Sequence, residues 1–146
     1  MNRLYGLIGF PLGHSFSARY FTEKFQRENL SGYEYRNFPL ESIRELPAML
    51  ENHPGLLGFN VTIPYKQEVI PYLTALSAEA REIGAVNCVK ITPQGLYGHN
   101  TDAYGFRKSL LGLIGRQRPD ALILGTDGAS KAVGYVLREL GIAYTT

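Results

Sequence analysis

The chain has 146 residues, of which 45% are hydrophobic and 19% charged, a globular composition that excludes disorder and fibrous repeats. Fifteen basic against thirteen acidic residues leave a net charge of only +2, with no Lys/Arg stripe, so a nucleic-acid partner is not expected. No run reaches the ~20 apolar residues of a membrane helix, and the lone Cys88 cannot form an intrachain disulfide framework, so a cytoplasmic setting is expected.

Short strand-like runs alternate with helix-like stretches. Leu4 to Phe10 reads as a buried strand stopped by Pro11. Ser17 offers an N-cap for a helix with Phe16, Tyr20, Phe21 and Phe25 on its apolar face. Tyr33 to Phe38 is a second strand. Ser42 to Glu45 matches a capping box, with Pro47 either ending a short turn or opening a helix at its first position. Leu56 to Ile63 is a third strand, followed by Pro64 and a short helix that Pro71 closes. Ala85 to Thr92 and Leu96 to His99 flank a turn at Pro93-Gln94-Gly95. A helix from Asn100 places Phe106, Leu110 and Leu113 together, and Arg116 to Pro119 is a polar link. Beyond it, Ala121 to Leu124 is a strand, and Ala129, Ala132, Val133, Val136, Leu137 and Leu140 form a full helical stripe ended by Gly141. Ile142 to Thr145 begins another strand. This rhythm predicts an α/β fold with a mixed, mostly parallel sheet flanked by helices over residues 1–115. Residues 116–146 would be the first βαβ portion of an incomplete Rossmann-type domain.

Four loops place polar groups where open α/β sheets bind ligands. They are Gly9 to Ser17, Gly58 to Lys66, Ile83 to Asn87, and Gly98 to Asp102. Together they offer the hydroxyls, amides, ammonium and carboxylate that a polyhydroxylated small molecule needs. Lys66 falls in the first turn of the helix expected after Pro64, where the macrodipole disfavours a cation; it is either an acid–base group or a solvated lysine. Asp102 and Ser17 read equally as helix caps. His14 is a general base or a plain loop histidine, and Cys88 is a small buried side chain rather than a nucleophile. No spacing of His, Cys, Asp and Glu resembles a metal site.

Gly125-Thr126-Asp127-Gly128-Ala129-Ser130 lies between a strand and a helix, as a phosphate loop should. Against G-x-G-x-x-G/A, Asp127 stands in place of the middle glycine and adds a negative charge facing an anion. A cap role for Asp127 is the alternative.

The four loops together resemble the shikimate dehydrogenase family. The resemblance is carried by Gly9-Phe10-Pro11-Leu12-Gly13-His14-Ser15-Phe16-Ser17, Asn60-Val61-Thr62-Ile63-Pro64-Tyr65-Lys66, Gly84-Ala85-Val86-Asn87 and Asn100-Thr101-Asp102. It implies NADP-dependent reduction of 3-dehydroshikimate to shikimate, a step toward chorismate and the aromatic amino acids. Lys66 and Asp102 would be the catalytic pair, and Ser15, Ser17, Thr62 and Asn87 would hold the substrate's hydroxyls and carboxylate. Gly125, Thr126, Asp127, Gly128, Ala129 and Ser130 would form the NADP loop. The resemblance also implies that this chain is an N-terminal portion, inactive alone, with its cofactor site incomplete and truncated at Thr146. The alternatives are a stand-alone shikimate- or quinate-binding module without redox activity, and an interaction protein that forms a homodimer through its last strand.

Overall fold

A computed structural model describes residues 2–13 and 15–146. His14, with its general-base reading, lies outside them. Strand β1 (Arg3–Gly9) is apolar and buried over its second half, so it runs through the middle of a sheet. It lies between β2 (Tyr33–Pro39) and β3 (Leu56–Val61), parallel to both. The free edge of β3 takes β5 (Cys88–Thr92), which pairs with β6 (Gly95–His99), both antiparallel. The two-residue β4 (Ala75–Leu76) closes the sheet beside β6, giving the order β2-β1-β3-β5-β6-β4.

Alternation along β1 sends Ile8 to one face and Leu7 to the other. Ile8 joins Phe38, Leu46, Phe59, Val61, Val69, Val86 and Val89 in the main core, covered by α2 (Leu46–Asn52). Leu7 joins Leu12 and Tyr35 under Phe21 and Phe25 of α1 (Phe16–Arg27). Helices α3 (Ala78–Ile83), α4 (Asp102–Ile114) and α5 (Gly128–Glu139) meet through Ile83, Ala85, Ala103, Ala132 and Val136. Arg107 of α4 ties the other two together by ion pairs to Glu79 of α3, at 3.2 Å, and to Glu139 of α5. A small parallel pair, β7 (Ala121–Leu122) and β8 (Tyr144–Thr145), packs Ile123 and Ile142 against α4 and α5.

This is the expected mixed, mostly parallel α/β architecture, with several local differences. The extended Ser15, not Ser17, precedes α1, which therefore starts earlier than expected. Phe16 and Tyr20 stack on each other in solvent rather than on the core, where Ala18, Phe21 and Phe25 pack. The Ser42–Glu45 box does form, but it heads a 3-10 turn over Ile43–Glu45, with Pro47 in the first turn of α2 behind it. Residues 85–87 are not strand: the Val86 N–H turns to the Lys66 carbonyl, while Asn87 still bonds to the ends of β3 and β6. Leu113 is 83% exposed, since the buried face of α4 runs through Ala103, Phe106, Leu110 and Ile114. Ala129, in the first turn of α5, is likewise exposed. The unanticipated α3 is bounded by Ser77, whose hydroxyl accepts the Ala80 N–H, and by left-handed Gly84.

The helix expected after Pro64 is absent. One α-type turn closes from the Val69 N–H to the Tyr65 carbonyl, and a 3-10 turn follows over Ile70–Tyr72. Pro71 has no N–H with which to continue an α-helix. Tyr65 and Val69 still reach the core from this irregular segment. Among the described residues, no helix is long and apolar enough to cross a membrane.

Candidate active site

The topology brings the four loops to one edge. Parallel β1 and β3 end side by side, so the Phe10 N–H reaches the Ile63 carbonyl (3.1 Å) and the Thr62 N–H reaches that of Ile8 (3.0 Å). Antiparallel β5 starts at that same edge and β6 finishes there, with Cys88 opposite both Asn60 and His99. The loop before β5 is sewn between its neighbours: Val61 N–H to Asn87 O is 2.9 Å, Val86 N–H to Lys66 O is 2.7 Å, and Asn87 N–H to His99 O is 3.1 Å.

Three predicted residues meet at this edge. The Lys66 Nζ donates to Asp102 Oδ2 at 2.6 Å, and the pair is largely shielded from solvent on the lysine side. Asn87 Nδ2 donates to Asp102 Oδ1 at 3.0 Å and to Thr101 Oγ1 at 2.9 Å, while its Oδ1 accepts the Thr101 N–H at 2.8 Å. The Asp102 carboxylate is thus held at both oxygens. Its cap reading fails, because buried Asn100 supplies the cap: its Oδ1 accepts the Ala103 N–H at 3.2 Å and its Nδ2 donates to Ala85 O at 3.0 Å. The macrodipole argument for Lys66 also lapses, since the segment is not helical; Asp102 is what faces its ammonium.

Ser15, Ser17 and Thr62 are not in that hydrogen-bonded group. They line an adjoining open cleft of ≈ 660 Å³. The Ser15 hydroxyl is buried, and among the described residues it has no hydrogen-bond partner. An orphan buried hydroxyl costs free energy until something pairs with it, so it marks a position where a polar ligand atom fits. Thr62 and Ile63 also border a second cavity of ≈ 220 Å³ that contains Lys66, so the cleft and the ion pair share a wall.

Supporting residues extend the network beyond those predicted. Tyr35 Oη donates to Asn60 Oδ1 at 2.8 Å, and Asn60 Nδ2 donates to Asn87 O at 3.3 Å. Burial raises the Tyr35 phenol above its ordinary range, against the Ser17 hydroxyl, and it stays a neutral donor. Burial also raises the Cys88 thiol, which fits an inert side chain. Asn60, Asn100 and Thr101 stood inside the motif strings, so the polar content of those strings was the available signal. Among the described residues, no cluster could hold a metal ion.

The phosphate-type loop reaches the same place from the other side. Asp127, Gly128 and Ala129 border the Lys66 cavity, whereas Gly125, Thr126 and Ser130 face a different one. A Cβ on Gly128 would sit 2.7 Å from Lys66 Cβ and 3.4 Å from Ala85 Cβ. Gly128→Ala is therefore expected to cost about 1–3 kcal/mol by overpacking, read as a lower urea midpoint. An unchanged midpoint would show that α5 can retreat freely.

The frame suits a dinucleotide: strand, glycine at φ 140° (Gly125), then a helix start. The donor set does not. Asp127 caps α5, with Oδ1 accepting the Ser130 N–H at 2.9 Å. The Ser130 N–H, with smaller help from the Ser130 hydroxyl, the Ala129 N–H and the charge of Lys66, outweighs burial and holds this carboxyl below its ordinary range. One of the first-turn N–H groups that would meet a pyrophosphate, that of Ser130, is engaged by a side chain of the loop itself.

Residues 7–89 match the family model described as the shikimate dehydrogenase substrate binding domain. Shikimate dehydrogenase (NADP(+)) of Aquifex aeolicus is 42% identical over 142 residues, covering 95% of this chain and 52% of that one. A crystal structure of shikimate dehydrogenase 1 from Peptoclostridium difficile superposes with a TM-score of 0.86 at 36% identity, over 100% of this chain and 55% of the other. Shikimate 5-dehydrogenase from Thermus thermophilus, solved with NADP(H) and shikimate, gives a TM-score of 0.84 at 33% identity, over 99% and 54%. The chain spans about half the length of the curated relatives it matches.

Proposed function

Because this chain belongs to the shikimate dehydrogenase family, we propose that it carries the substrate-binding and proton-transfer half of an NADP-dependent reduction of 3-dehydroshikimate to shikimate. The observation that carries this reading is the 2.6 Å contact between Lys66 and Asp102 at the rim of a polar cleft. Ser15, Ser17, Thr62 and Asn87 orient the substrate through its hydroxyls and carboxylate. When the ketone is reduced, its carbon gains a hydride and its oxygen gains a proton. The Lys66 ammonium donates that proton, and it regains one when the hydroxyl is oxidised in the reverse direction. Asp102 holds the ammonium in place, and Asn87 holds Asp102. A reduced nicotinamide is the hydride source in this chemistry; every role assigned to this chain concerns the substrate and the proton. In this reading residues 1–115 form the substrate domain and residues 116–146 belong to the dinucleotide-binding half. A cytoplasmic setting is part of it, supported by the single unpaired cysteine.

One observation favours a second reading, a shikimate- or quinate-binding module without redox activity: the cofactor-type loop is capped by its own Asp127. Both readings require the substrate site. An amide NMR titration of the chain with shikimate is expected to move Ser15, Ser17, Thr62, Lys66, Asn87 and Asp102. A well-dispersed spectrum that ignores shikimate would overturn both. Saturable NADP-dependent turnover would remove the second.

A further inference from the structure

Two things must be true of a loop that holds a dinucleotide pyrophosphate at a helix start: free N–H donors in the first turn, and room for the anion's charge. In α5 the Ser130 donor is already taken, and a negative charge stands where the anion's charge would go. The Asp127 carboxylate folds back over the helix start and accepts the Ser130 N–H at 2.9 Å. The Ser130 hydroxyl, which could otherwise turn to a ligand, donates to the Asp127 carbonyl at 2.7 Å, and the Lys131 N–H bonds to that same carbonyl at 3.2 Å. On the flank toward Lys66, Gly128 is buried against the lysine stem, so no phosphate can enter between them without moving one. Asp127 thus supplies an anion of its own at the positive end of α5, in the position where a G-x-G-x-x-G/A loop has its middle glycine.

We infer that Asp127 is a resident anion that competes with a dinucleotide's phosphates at this loop, so that the wild-type sequence holds one there more weakly than it does once the carboxylate is removed. The inference rests on the family reading only for the choice of NADP as the dinucleotide. The shikimate titration tests the substrate site separately, so the two can fail independently.

The experiment is a titration of NADP+ into the chain and into D127G and D127N, followed by calorimetry and by the amide signals of residues 125–131. Inorganic pyrophosphate serves as a second probe that reports the loop without the rest of the dinucleotide. The wild-type chain is expected to bind both probes weakly. D127G should bind at least tenfold more tightly than wild type. D127N keeps an oxygen for the Ser130 N–H while losing the charge, and should fall between them; it decides the matter if D127G does not fold. Wild-type binding as tight as that of the variants overturns the inference. So does a folded variant that gains no affinity for either probe.

Discussion

Under the proposed reduction of 3-dehydroshikimate, Lys66→Met is expected to lower kcat by a factor of about 10²–10⁴, the usual contribution of a positioned general acid. Methionine keeps the length of the stem that packs on Gly128 and removes only the ammonium. The loss should therefore fall on kcat, with KM changed little, because the hydroxyls proposed to orient substrate lie on other residues. Lys66→Arg separates two explanations. A guanidinium keeps the charge beside Asp102 but does not give up a proton, so it fails if proton transfer is the role and recovers activity if a positive charge is enough. Steady-state kinetics of both variants provide the check. Activity within tenfold of wild type in Lys66→Met would remove Lys66 from the chemistry.

Asn100→Leu is expected to destabilise the fold more than Gly128→Ala does. The side chain is 5% exposed and makes two hydrogen bonds, to Ala85 O and from the Ala103 N–H. Leucine is of comparable size and leaves both backbone groups buried and unpaired, at about 1–3 kcal/mol each. A total of about 2–6 kcal/mol corresponds to a fall in Tm of roughly 5–20 °C for a domain of this size. Thermal melts followed by circular dichroism test it. The start of α4 carries Thr101 and Asp102, so the same variant should weaken shikimate binding even where it remains folded. A variant that melts within two or three degrees of wild type would mean that water replaces both bonds.

The site was more legible than parts of the scaffold, and the reason is local. Ser15, Thr62, Lys66, Asn87 and Asp102 stand in contiguous strings after apolar runs, and a sheet edge gathers such strings wherever its strands end together. The Lys66–Asp102 contact joins residues on two of those strings, and no periodicity in the chain announces it. In place of the helix expected after Pro64, a single buried turn carries Tyr65 and Val69 to the core, a spacing of four that such a turn satisfies as well as a helix does. The short α3 carries charge at Glu79, Arg81 and Glu82, so only its end signals, Ser77 and Gly84, could have found it. Phe16 and Leu113 are apolar residues left outside, a reminder that hydrophobic residues are not confined to the core. Asp127 admitted a cap reading from the start, but whether it spared or engaged the loop's donors depended on one torsional choice of its side chain.

The double ion pair of Arg107 has a mechanical consequence. It clamps α3 and α5 to α4, and the packing of Gly128 on the Lys66 stem pins the far end of α5 to the substrate sheet. Tied at both ends, α5 is expected to keep its place beside the Lys66 cavity, and the Ser15 cleft, which shares Thr62 and Ile63 with that cavity, is the expected approach to the ammonium.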